Sequence, residues 1–274
     1  MTLIDSPHNP RLRAVAALRE RRDRDATGLT LVDGARECRR AIEAGVIVET
    51  AFICRPLLRS DDAAAFETTF RTRRIETVEL TERAFAHLAF GDRADGVVLV
   101  VRQPPTDLAH LTPASPTPLL LITEDVEKPG NLGAILRTAD AAGCNAVIAI
   151  GGTDLFNPNV IRASIGTVFS IPLATAPAPD VLAWLNQHGI RPVAARVDAH
   201  EVYTSADLTG PVALILGSES DGLSPIWNEP GIEAIRLPMH GSADSLNVSA
   251  TAAILAFEAR RQRDRPAAIE VAPA

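Results

Sequence analysis

Three segments in the second half of the sequence place glycines and polar side chains directly after predicted strands. They cover residues 124–143, 216–224 and 237–253. Their candidate functional side chains are Asn131, Arg137, Glu219, Ser245 and Asn247. Amide, carboxylate and hydroxyl groups can orient a polar substrate, whereas a guanidinium can hold a phosphate or stabilise a developing oxyanion. Because open α/β sheets bind ligands beyond the carboxyl ends of their strands, all three segments could serve one ligand.

Each segment alone also has a purely structural interpretation. Asn131 follows a Pro-Gly turn and can cap a helix, from whose second turn Arg137 would project. Gly217 directly follows a strand, where a glycine lets a ligand approach the backbone closely. One of Ser245, Asn247 and Ser249 can cap the last helix. The GxGxxG dinucleotide pattern is absent, and the second segment does not satisfy the hydrolase pattern GxSxG.

Residue types exclude several other chemistries. Lys128 is the only lysine and Pro129 follows it, so the Gly-Lys-Ser/Thr of a phosphate-binding loop is missing. A Schiff base would have only Lys128 to use. The histidines show no HExxH pattern, so no catalytic metal is expected. The three cysteines, Cys38, Cys54 and Cys144, lie far apart and fit a reducing compartment better than a disulfide framework.

The composition is that of an ordinary globular protein. Of 274 residues, 46% are hydrophobic and 22% are charged, and the length fits one large or two modest domains. No apolar run approaches the roughly 20 residues of a membrane helix, and the opening residues lack the features of a secretory signal. We therefore expect a cytoplasmic protein without a membrane partner. The net charge of −7 argues against non-specific coating of nucleic acid, but a local basic face remains compatible with it.

One such basic face is predicted near the N-terminus. Residues 11–24, called the arginine segment below, hold six arginines against one glutamate and one aspartate, and their apolar residues suit a short helix. Charge alone favours a solvated surface helix. The alternative is a contact with RNA phosphates, because arginine forks match phosphate geometry. The candidate RNA-binding residues are Arg11, Arg13, Arg19, Arg21 and Arg22.

The elements that must position these residues alternate between strands and helices. In the first part we predict strands over 29–32, 46–54, 75–80 and 97–101, and helices over 35–44, 61–71 and 82–90. In the second part we predict strands over 119–123, 146–150, 168–171, 192–197, 212–216 and 232–237, and helices over 132–142, 158–164, 180–187 and 248–263. This alternation predicts an α/β fold with mostly parallel sheets.

A proline-rich stretch divides the two parts. Residues 103–118 contain five prolines and no sustained period, which is typical of a linker. We therefore predict a smaller N-terminal α/β domain over residues 1–105, a linker over 106–117, a second α/β domain over 118–265 and a flexible tail over 266–274.

In their order and in their residues, the three segments resemble the signature motifs of the SpoU (TrmH-like) branch of the SPOUT superfamily. The members of this branch are S-adenosylmethionine-dependent RNA ribose 2′-O-methyltransferases. The motif NxGxxxR is matched by Asn131, Gly133 and Arg137. The motif GxExxGL is matched by Gly217, Glu219, Gly222 and Leu223. The Pro-Met-Gly loop leading to SLNVS is matched by Pro238, Met239, Gly241 and residues 245–249. Leu237 and Ala250 replace the usual isoleucine and valine, which removes no reactive group.

The resemblance covers nearly the whole chain. The opening of the sequence is similar to the N-terminal RNA substrate-binding domain of many such enzymes. For the second domain, the resemblance implies a deep trefoil knot, with the cofactor bent against it and a homodimer formed through two knotted domains. Sequence patterning alone does not predict a knot, because knotted folds are rare.

The resemblance also implies residue roles. The adenosine of S-adenosylmethionine would be bound by Gly217, Leu237, Met239 and Leu246. Arg137 would be the key catalytic residue. Since a guanidinium stays protonated, we expect Arg137 to hold the RNA phosphate and stabilise the forming alkoxide rather than accept its proton. The residues expected to orient Arg137 and the ribose are Asn131, Glu219, Ser245 and Asn247. No metal is required.

Three alternatives stay open. The RNA could be tRNA, although an N-terminal domain of this size is more familiar among rRNA-directed and antibiotic-resistance members. A catalytically idle RNA-binding protein on the same scaffold is the second alternative, against which the presence of Arg137 and Asn247 argues. A nicotinamide dehydrogenase is remote, because the glycine fingerprint is missing.

Overall fold

The structure, a computed structural model, describes residues 2–89 and 95–264. The expectations for Phe90 and for the tail over 266–274 lie outside these residues. The strands are β1 (Thr2–Ile4), β2 (Leu29–Asp33), β3 (Val48–Ile53), β4 (Glu76–Leu80), β5 (Val97–Arg102), β6 (Leu119–Glu124), β7 (Ala146–Ile150), β8 (Leu173–Thr175), β9 (Arg191–Ala195), β10 (Glu201–Val202), β11 (Val212–Leu216) and β12 (Glu233–Arg236). The helices are α1 (Pro10–Ala17), α2 (Arg21–Thr27), α3 (Ala35–Glu43), α4 (Ser60–Thr72), α5 (Glu82–Phe85), α6 (Pro129–Ala141), α7 (Pro158–Ala163), α8 (Ala178–Gln187) and α9 (Val248–Arg263).

The chain divides into two compact units. The first consists of Met1–Pro105 with Asp154–Ser170, and the second of Thr106–Thr153 with Ile171–Ala274. The segment Asp154–Ser170, which contains α7, thus groups with the first unit although it follows the proline-rich stretch.

The first unit is built on a mixed sheet rather than the mostly parallel one that we predicted. Its strand order is β1-β4-β3-β5-β2. β1, β4 and β3 run parallel, whereas β5 is antiparallel to both β3 and β2. Strand β1 was not predicted, because three residues carry too little pattern. The apolar core beside the sheet includes Leu12, Leu31, Phe52 and Phe85.

The arginine segment forms two helices instead of one. Helix α1 ends at Ala17 and α2 begins at Arg21. The cause is Arg24, whose side chain is 1% exposed and donates from Nη1 to the carbonyl oxygens of Leu18 (3.0 Å) and Arg19 (2.7 Å). These bonds satisfy carbonyls at the break between the helices, so a single continuous helix is replaced by a turn.

Two other elements differ from their predictions. Residues 168–171 are not a strand: Thr167–Phe169 is a 3₁₀ helix after Gly166, and β8 begins only at Leu173. The buried apolar side chains there produced a strand-like pattern, which reports burial and not conformation. Helix α5 ends at Phe85, earlier than predicted, and a turn follows it.

The second unit contains a fully parallel sheet, as the alternation of elements predicted. Its seven strands lie in the order β10-β12-β9-β11-β6-β7-β8. Every residue of β6, β7 and β11 is buried, which explains their continuous apolar runs. Strand β10, only two residues long, was not predicted. Helix α9 packs against α6 through its buried face, where small residues such as Ala252 and Ala256 permit close approach.

No helix within residues 2–89 and 95–264 is long and apolar enough to cross a membrane.

Candidate active site

The three motif segments leave the parallel sheet at the carboxyl ends of its strands. β6 and β11 are neighbours in register, with Leu216 opposite Thr123, so residues 125–131 and 217–223 leave the sheet side by side. β12 reaches the same edge through its pairing with β9, which in turn pairs with β11. Parallel strands present their carboxyl ends together, and this is what brings distant motifs to one place.

Four side chains from these segments form a hydrogen-bonded group, called the Glu219 cluster below. The Nζ atom of Lys128 donates to Oε2 of Glu219 at 2.6 Å. The Nδ2 atoms of Asn131 and Asn247 donate to Oε1 of Glu219 at 2.9 and 2.6 Å, respectively. Asn247 Nδ2 also lies 3.2 Å from Asn131 Oδ1. The cluster therefore joins the ends of β6, β11 and β12 through side chains.

The electrostatics of the cluster favour the charged forms of both ionisable members. The hydrogen bond and the positive charge of Lys128 hold the pKa of Glu219 below its usual value, and the Asn131 amide adds to this effect. In turn, Glu219 raises the pKa of Lys128. The side chains are 71% and 33% exposed for Lys128 and Glu219, so solvent screens the pair and its contribution to folding stability is small.

The structure corrects the predicted role of Asn131 as a helix cap. Helix α6 begins at Pro129, so its N-cap is Lys128 and Asn131 lies within the first turn. The side chain of Asn131 is thereby free to bond Glu219 instead of the helix backbone. The expectation of a cap at the last helix is confirmed: Asn247 Oδ1 accepts from the backbone N–H of Ser249 at 2.9 Å and from its hydroxyl at 2.6 Å.

The loop after β11 explains why Gly217 is a glycine, and the reason differs from the one expected. A Cβ atom on Gly217 would lie 2.3 Å from the carbonyl carbon of Gly222 and 2.7 Å from the backbone nitrogen of Leu223. The loop folds back on itself, with Ser218 N donating to Gly222 O at 3.0 Å. Close approach of the protein's own backbone therefore already requires this glycine.

A buried carboxylate that the sequence did not single out anchors the same loop. Glu124, at the end of β6, accepts hydrogen bonds from Ser224 N at 2.8 Å, Ser224 Oγ at 2.7 Å and Trp227 Nε1 at 3.1 Å. A carboxylate with three donors is well satisfied in a buried position. Glu124 thus fixes the exit of the loop that carries Glu219.

A cleft of about 550 Å³ lies at the ends of β9, β11 and β12. The predicted cofactor residues all line it, together with Ser245: Gly217, Leu237, Met239 and Leu246. The sequence missed the contribution of residues 196–198 after β9. Arg196 binds Asp198 through two contacts, Nε–Oδ1 at 3.0 Å and Nη2–Oδ2 at 2.7 Å, which lower the pKa of Asp198. Val197, between them, is 71% exposed.

A smaller hollow of about 260 Å³ adjoins the cleft. It is lined by Asn131, Lys128 and the acidic residues Asp125 and Glu127, and it shares residues 218–220 and Val248 with the larger cleft. Within the Glu219 cluster, Glu219 therefore lines both cavities, whereas Lys128 and Asn131 line the hollow alone.

Two predicted site residues are not joined to the Glu219 cluster. Arg137 is exposed on α6, and no hydrogen bond or ion pair links it to another residue in the described part of the chain. Ser245 lines the cleft with its side chain exposed. Both side chains are accessible to a ligand. Within the described residues, no hydrogen bond holds the guanidinium of Arg137 or the hydroxyl of Ser245 in place.

The structure separates the five candidate RNA-binding arginines into two kinds. Arg11 donates to Glu76, whose pKa it lowers, and its guanidinium lies 5.7 Å from the centre of the Phe52 ring. Arg19 Nη2 donates to the carbonyl oxygens of His87 and Ala89 at 2.8 and 3.2 Å. Arg13, Arg21 and Arg22 are exposed, as is Arg11, but the guanidinium of Arg11 is engaged by Glu76.

The two exposed arginines of α2 have only weak ion pairs. Arg21 lies 3.6 Å from Asp25, and Arg22 lies 4.0 Å from Asp23. Arg24, which the charge count also included, is buried against Asp154 with Nη2–Oδ2 at 2.7 Å. The basic surface of the segment is therefore smaller than its composition implied.

Over residues 2–89 and 95–264, no group of three or more His, Cys, Asp and Glu side chains is arranged to hold a metal ion.

Comparison with known proteins agrees with this geometry. Residues 118–257 match the SpoU rRNA Methylase family, and residues 9–99 match an MRM3-like substrate binding domain. A 23S rRNA (uridine(2479)-2′-O)-methyltransferase of Streptomyces viridochromogenes is 33% identical over 261 residues, covering 90% of this chain and 88% of the relative.

Solved structures give the same result. An RNA 2′-O ribose methyltransferase is 40% identical with a TM-score of 0.83, covering 96% of this chain and 99% of the other. An AdoMet-bound rRNA methyltransferase from Sinorhizobium meliloti is 29% identical with a TM-score of 0.87, covering 95% of this chain and 97% of the other. On these matches, the chain belongs to the SpoU rRNA methylase family.

Proposed function

We propose that this protein transfers a methyl group from S-adenosylmethionine to a ribose 2′-OH of ribosomal RNA. The observation that carries the proposal is the joining of Asn131 and Asn247 by hydrogen bonds to Glu219, which lines the 550 Å³ cleft. These residues come from three separate motifs, and together they place polar groups beside a ligand-sized cavity. The family's relatives named above act on 23S rRNA or on an RNA ribose.

The cleft suits S-adenosylmethionine in size and lining. Its volume of about 550 Å³ is ordinary for a cofactor site. Leu237, Met239 and Leu246 offer apolar surface for a purine ring, while the backbone around Gly217 offers donors and acceptors. When bound, the cofactor supplies an electrophilic methyl group on its sulfonium. The protein's contribution is to hold that group and the ribose hydroxyl in line, which accounts for much of such a rate.

Arg137 is proposed as the catalytic residue. A ribose hydroxyl is a poor nucleophile, because its pKa lies far above neutrality, so charge developing on its oxygen must be stabilised. The exposed guanidinium of Arg137 can bind an RNA phosphate and meet that charge, while it remains protonated throughout. Asn131, Glu219, Ser245 and Asn247 are proposed to orient Arg137 and the ribose.

Residues 1–105 are proposed as the RNA-binding domain, residues 106–117 as a linker and residues 118–265 as the methyltransferase domain. Residues 9–99 resemble a substrate-binding domain, and Arg13, Arg21 and Arg22 leave their charges exposed. Arg11 and Arg19 remain part of the proposal, but each would have to share its guanidinium with internal partners. The protein is proposed to act in the cytoplasm.

We also propose that the second unit contains a trefoil knot and forms a homodimer. After β12, close to one edge of the sheet, the chain returns as α9 to pack against α6, which is the kind of path that a knotted terminus requires. Light scattering of the purified protein tests the dimer: a monomer at micromolar concentration would contradict it.

The main experiment uses S-adenosylmethionine carrying a labelled methyl group. Ribosomal RNA and tRNA from a strain lacking the protein are incubated together with the protein, and labelled positions are mapped by their resistance to alkaline cleavage. Label on a ribose of rRNA is the expected result. Label on tRNA alone would favour the first alternative substrate, and RNA binding without label would favour an idle scaffold. Calorimetry after chelator treatment completes the test, since loss of cofactor binding would reveal a metal requirement.

A further inference from the structure

Lys128 stands outside the three family motifs, yet it contacts the centre of the Glu219 cluster. Glu219 receives hydrogen bonds on both carboxylate oxygens: Oε2 accepts from Lys128, and Oε1 accepts from Asn131 and Asn247. A protonated carboxyl would direct an O–H toward one of these donors. Donors on both oxygens at once therefore require an ionised Glu219.

The amide orientations depend on that ionised state. Asn247 uses Oδ1 to cap α9, so its Nδ2 must find an acceptor elsewhere, and Glu219 Oε1 provides it. Asn131 likewise turns Nδ2 to Glu219 and presents Oδ1 to Asn247. If Glu219 became neutral, the hydrogen bonds from both amides would weaken, because the oxygen that accepts them would no longer carry negative charge.

We propose that Lys128 is a positioning residue for methyl transfer, which holds Glu219 as a carboxylate and thereby fixes the amides of Asn131 and Asn247. The proposal rests on the proposed methyltransferase function, because the amides matter there for orienting Arg137 and the ribose. Lys128 itself need not touch substrate.

The surroundings of Glu219 make Lys128 decisive for its charge. From α6 and the residues before it, Lys128 and Asn131 face Glu219; from the start of α9, Asn247 and the backbone N–H of Val248 do so. The other charged residues of the hollow, Asp125 and Glu127, are both acidic, and so is Asp221 on the loop of Glu219 itself. The larger cleft adds Asp244 and the paired Arg196 and Asp198. Without Lys128, the carboxylate would keep only amide and backbone donors, and its proton affinity would rise.

The first test is the pH dependence of methyl transfer in Lys128→Met. Lys128 lowers the pKa of Glu219, so removing it raises that pKa, and the acidic limb of the rate profile should move to higher pH. Near neutral pH and above, Glu219 is ionised in both proteins, so the rate of methyl transfer should fall only slightly in Lys128→Met. At mildly acid pH the loss should reach roughly fivefold, which is the upper range for an exposed pair. Lys128→Arg, which keeps a donor and a charge, should restore the profile.

Glu127→Gln is the matched control, because Glu127 adjoins Lys128 and contributes least to the rise of its pKa. Its acidic limb should stay near that of the wild type. If the rate of methyl transfer in Lys128→Met fell by the same factor at every pH, the proposal would be overturned, because the substitution would then have distorted the loop rather than changed the charge of Glu219. Weaker RNA binding with an unchanged acidic limb would overturn it in favour of a direct phosphate contact.

The second test does not require activity. Because Lys128 is the only lysine, reductive methylation with ¹³C-formaldehyde labels one side chain besides the N-terminus. Its NMR titration should give a lower pKa in Glu219→Gln than in the wild type. Identical titrations would show that the pair does not form in solution. If the titrations differ while the wild type fails to methylate any RNA, the ion pair stands and the proposed function fails.

Discussion

The arginine segment and the Glu219 cluster both contain candidate functional residues that the sequence singled out, but they hold their charges differently. In the arginine segment, Arg24 is buried against Asp154 and Arg19 binds backbone carbonyls, so charge counted as surface is used for structure. In the Glu219 cluster, the charges are exposed at a cavity, and amides complete the hydrogen bonding. A local charge count gives the number of charged residues in a segment but not how many of them lie at the surface. Motifs that follow parallel strands, by contrast, indicate which side chains come together.

The parts predicted well from sequence are those with strong periodicity or capping signals. Strands β7 and β11 and helix α9 have the predicted bounds, because each combines an apolar pattern with clear ends. Cofactor candidates such as Gly217 and Met239 do line one cleft, since parallel strands carry them to the same edge. Their roles in binding remain predictions.

The parts that sequence could not provide depend on contacts between distant residues. Glu124 and Ser224 are 100 positions apart, and Lys128 and Glu219 are 91 positions apart. No local pattern marks such pairs. Arg24 is the counterpart in the first unit: its partner Asp154 lies 130 positions away, in a segment grouped with that unit only by folding. Substitutions in the two regions can test whether the charges of Arg24 and Arg19 stabilise the fold while those exposed at the cavity and on α2 serve function.

The largest effect is expected for Arg24→Met, which breaks a buried ion pair. Asp154 would keep its charge in a largely buried place without its main partner, and the carbonyls of Leu18 and Arg19 would lose their donor. Such losses cost about 3–5 kcal/mol of folding free energy. Urea denaturation measures the change in the free energy of unfolding. Arg22→Met is the control, because the side chain of Arg22 is 91% exposed. A cost equal to that of the control would show that Arg24 is not structural.

The next largest effect is expected for Arg137→Ala, on turnover and not on stability. Loss of a group that stabilises developing oxyanion charge lowers kcat by about 10²–10³-fold. Affinity for S-adenosylmethionine should stay within about twofold, because the interaction is made in the transition state. Arg137→Lys should also be impaired, since lysine lacks the planar fork.

Single-turnover rates and calorimetry separate these two quantities for Arg137. Arg261→Ala, at an exposed arginine of α9 paired with Glu258, serves as the control. A rate for Arg137→Ala equal to that of this control would remove Arg137 from the catalytic site.

A smaller effect is expected for Gly217→Ala, on cofactor affinity. The added Cβ would meet the backbone of Gly222 at 2.3 Å, so the loop must shift where it lines the cleft. Overpacking of this kind costs about 1–3 kcal/mol, which corresponds to a fall in affinity of tenfold or so. Gly130→Ala is the matched control, because its Cβ would meet nothing within 4 Å. Calorimetric titration with S-adenosylmethionine should leave the control unchanged; equal affinities in both variants would contradict the role of the loop.

The smallest effect, and the one that most sharpens the comparison, is expected for the exposed part of the arginine segment. Arg13, Arg21 and Arg22 leave their guanidinium groups accessible, whereas Arg19 is held by the carbonyl oxygens of His87 and Ala89. Replacing the three exposed residues with glutamine should weaken RNA binding severalfold and reduce the slope of log affinity against log salt by about 2, if each contacts one phosphate of an unpaired strand.

Fluorescence titration of substrate RNA at several salt concentrations measures that slope. Arg19→Gln is the comparison: its main cost should be to folding, and its salt slope should remain near that of the wild type, since its charge is already engaged. S-adenosylmethionine affinity should be unchanged in both proteins, because the cleft is lined by residues of the second unit alone. A wild-type slope in the triple variant would make the exposed arginines a merely solvated face. A flattened slope in Arg19→Gln would mean that RNA competes with the carbonyl oxygens of His87 and Ala89 for this guanidinium. The division between structural and functional charge would then fail at that residue.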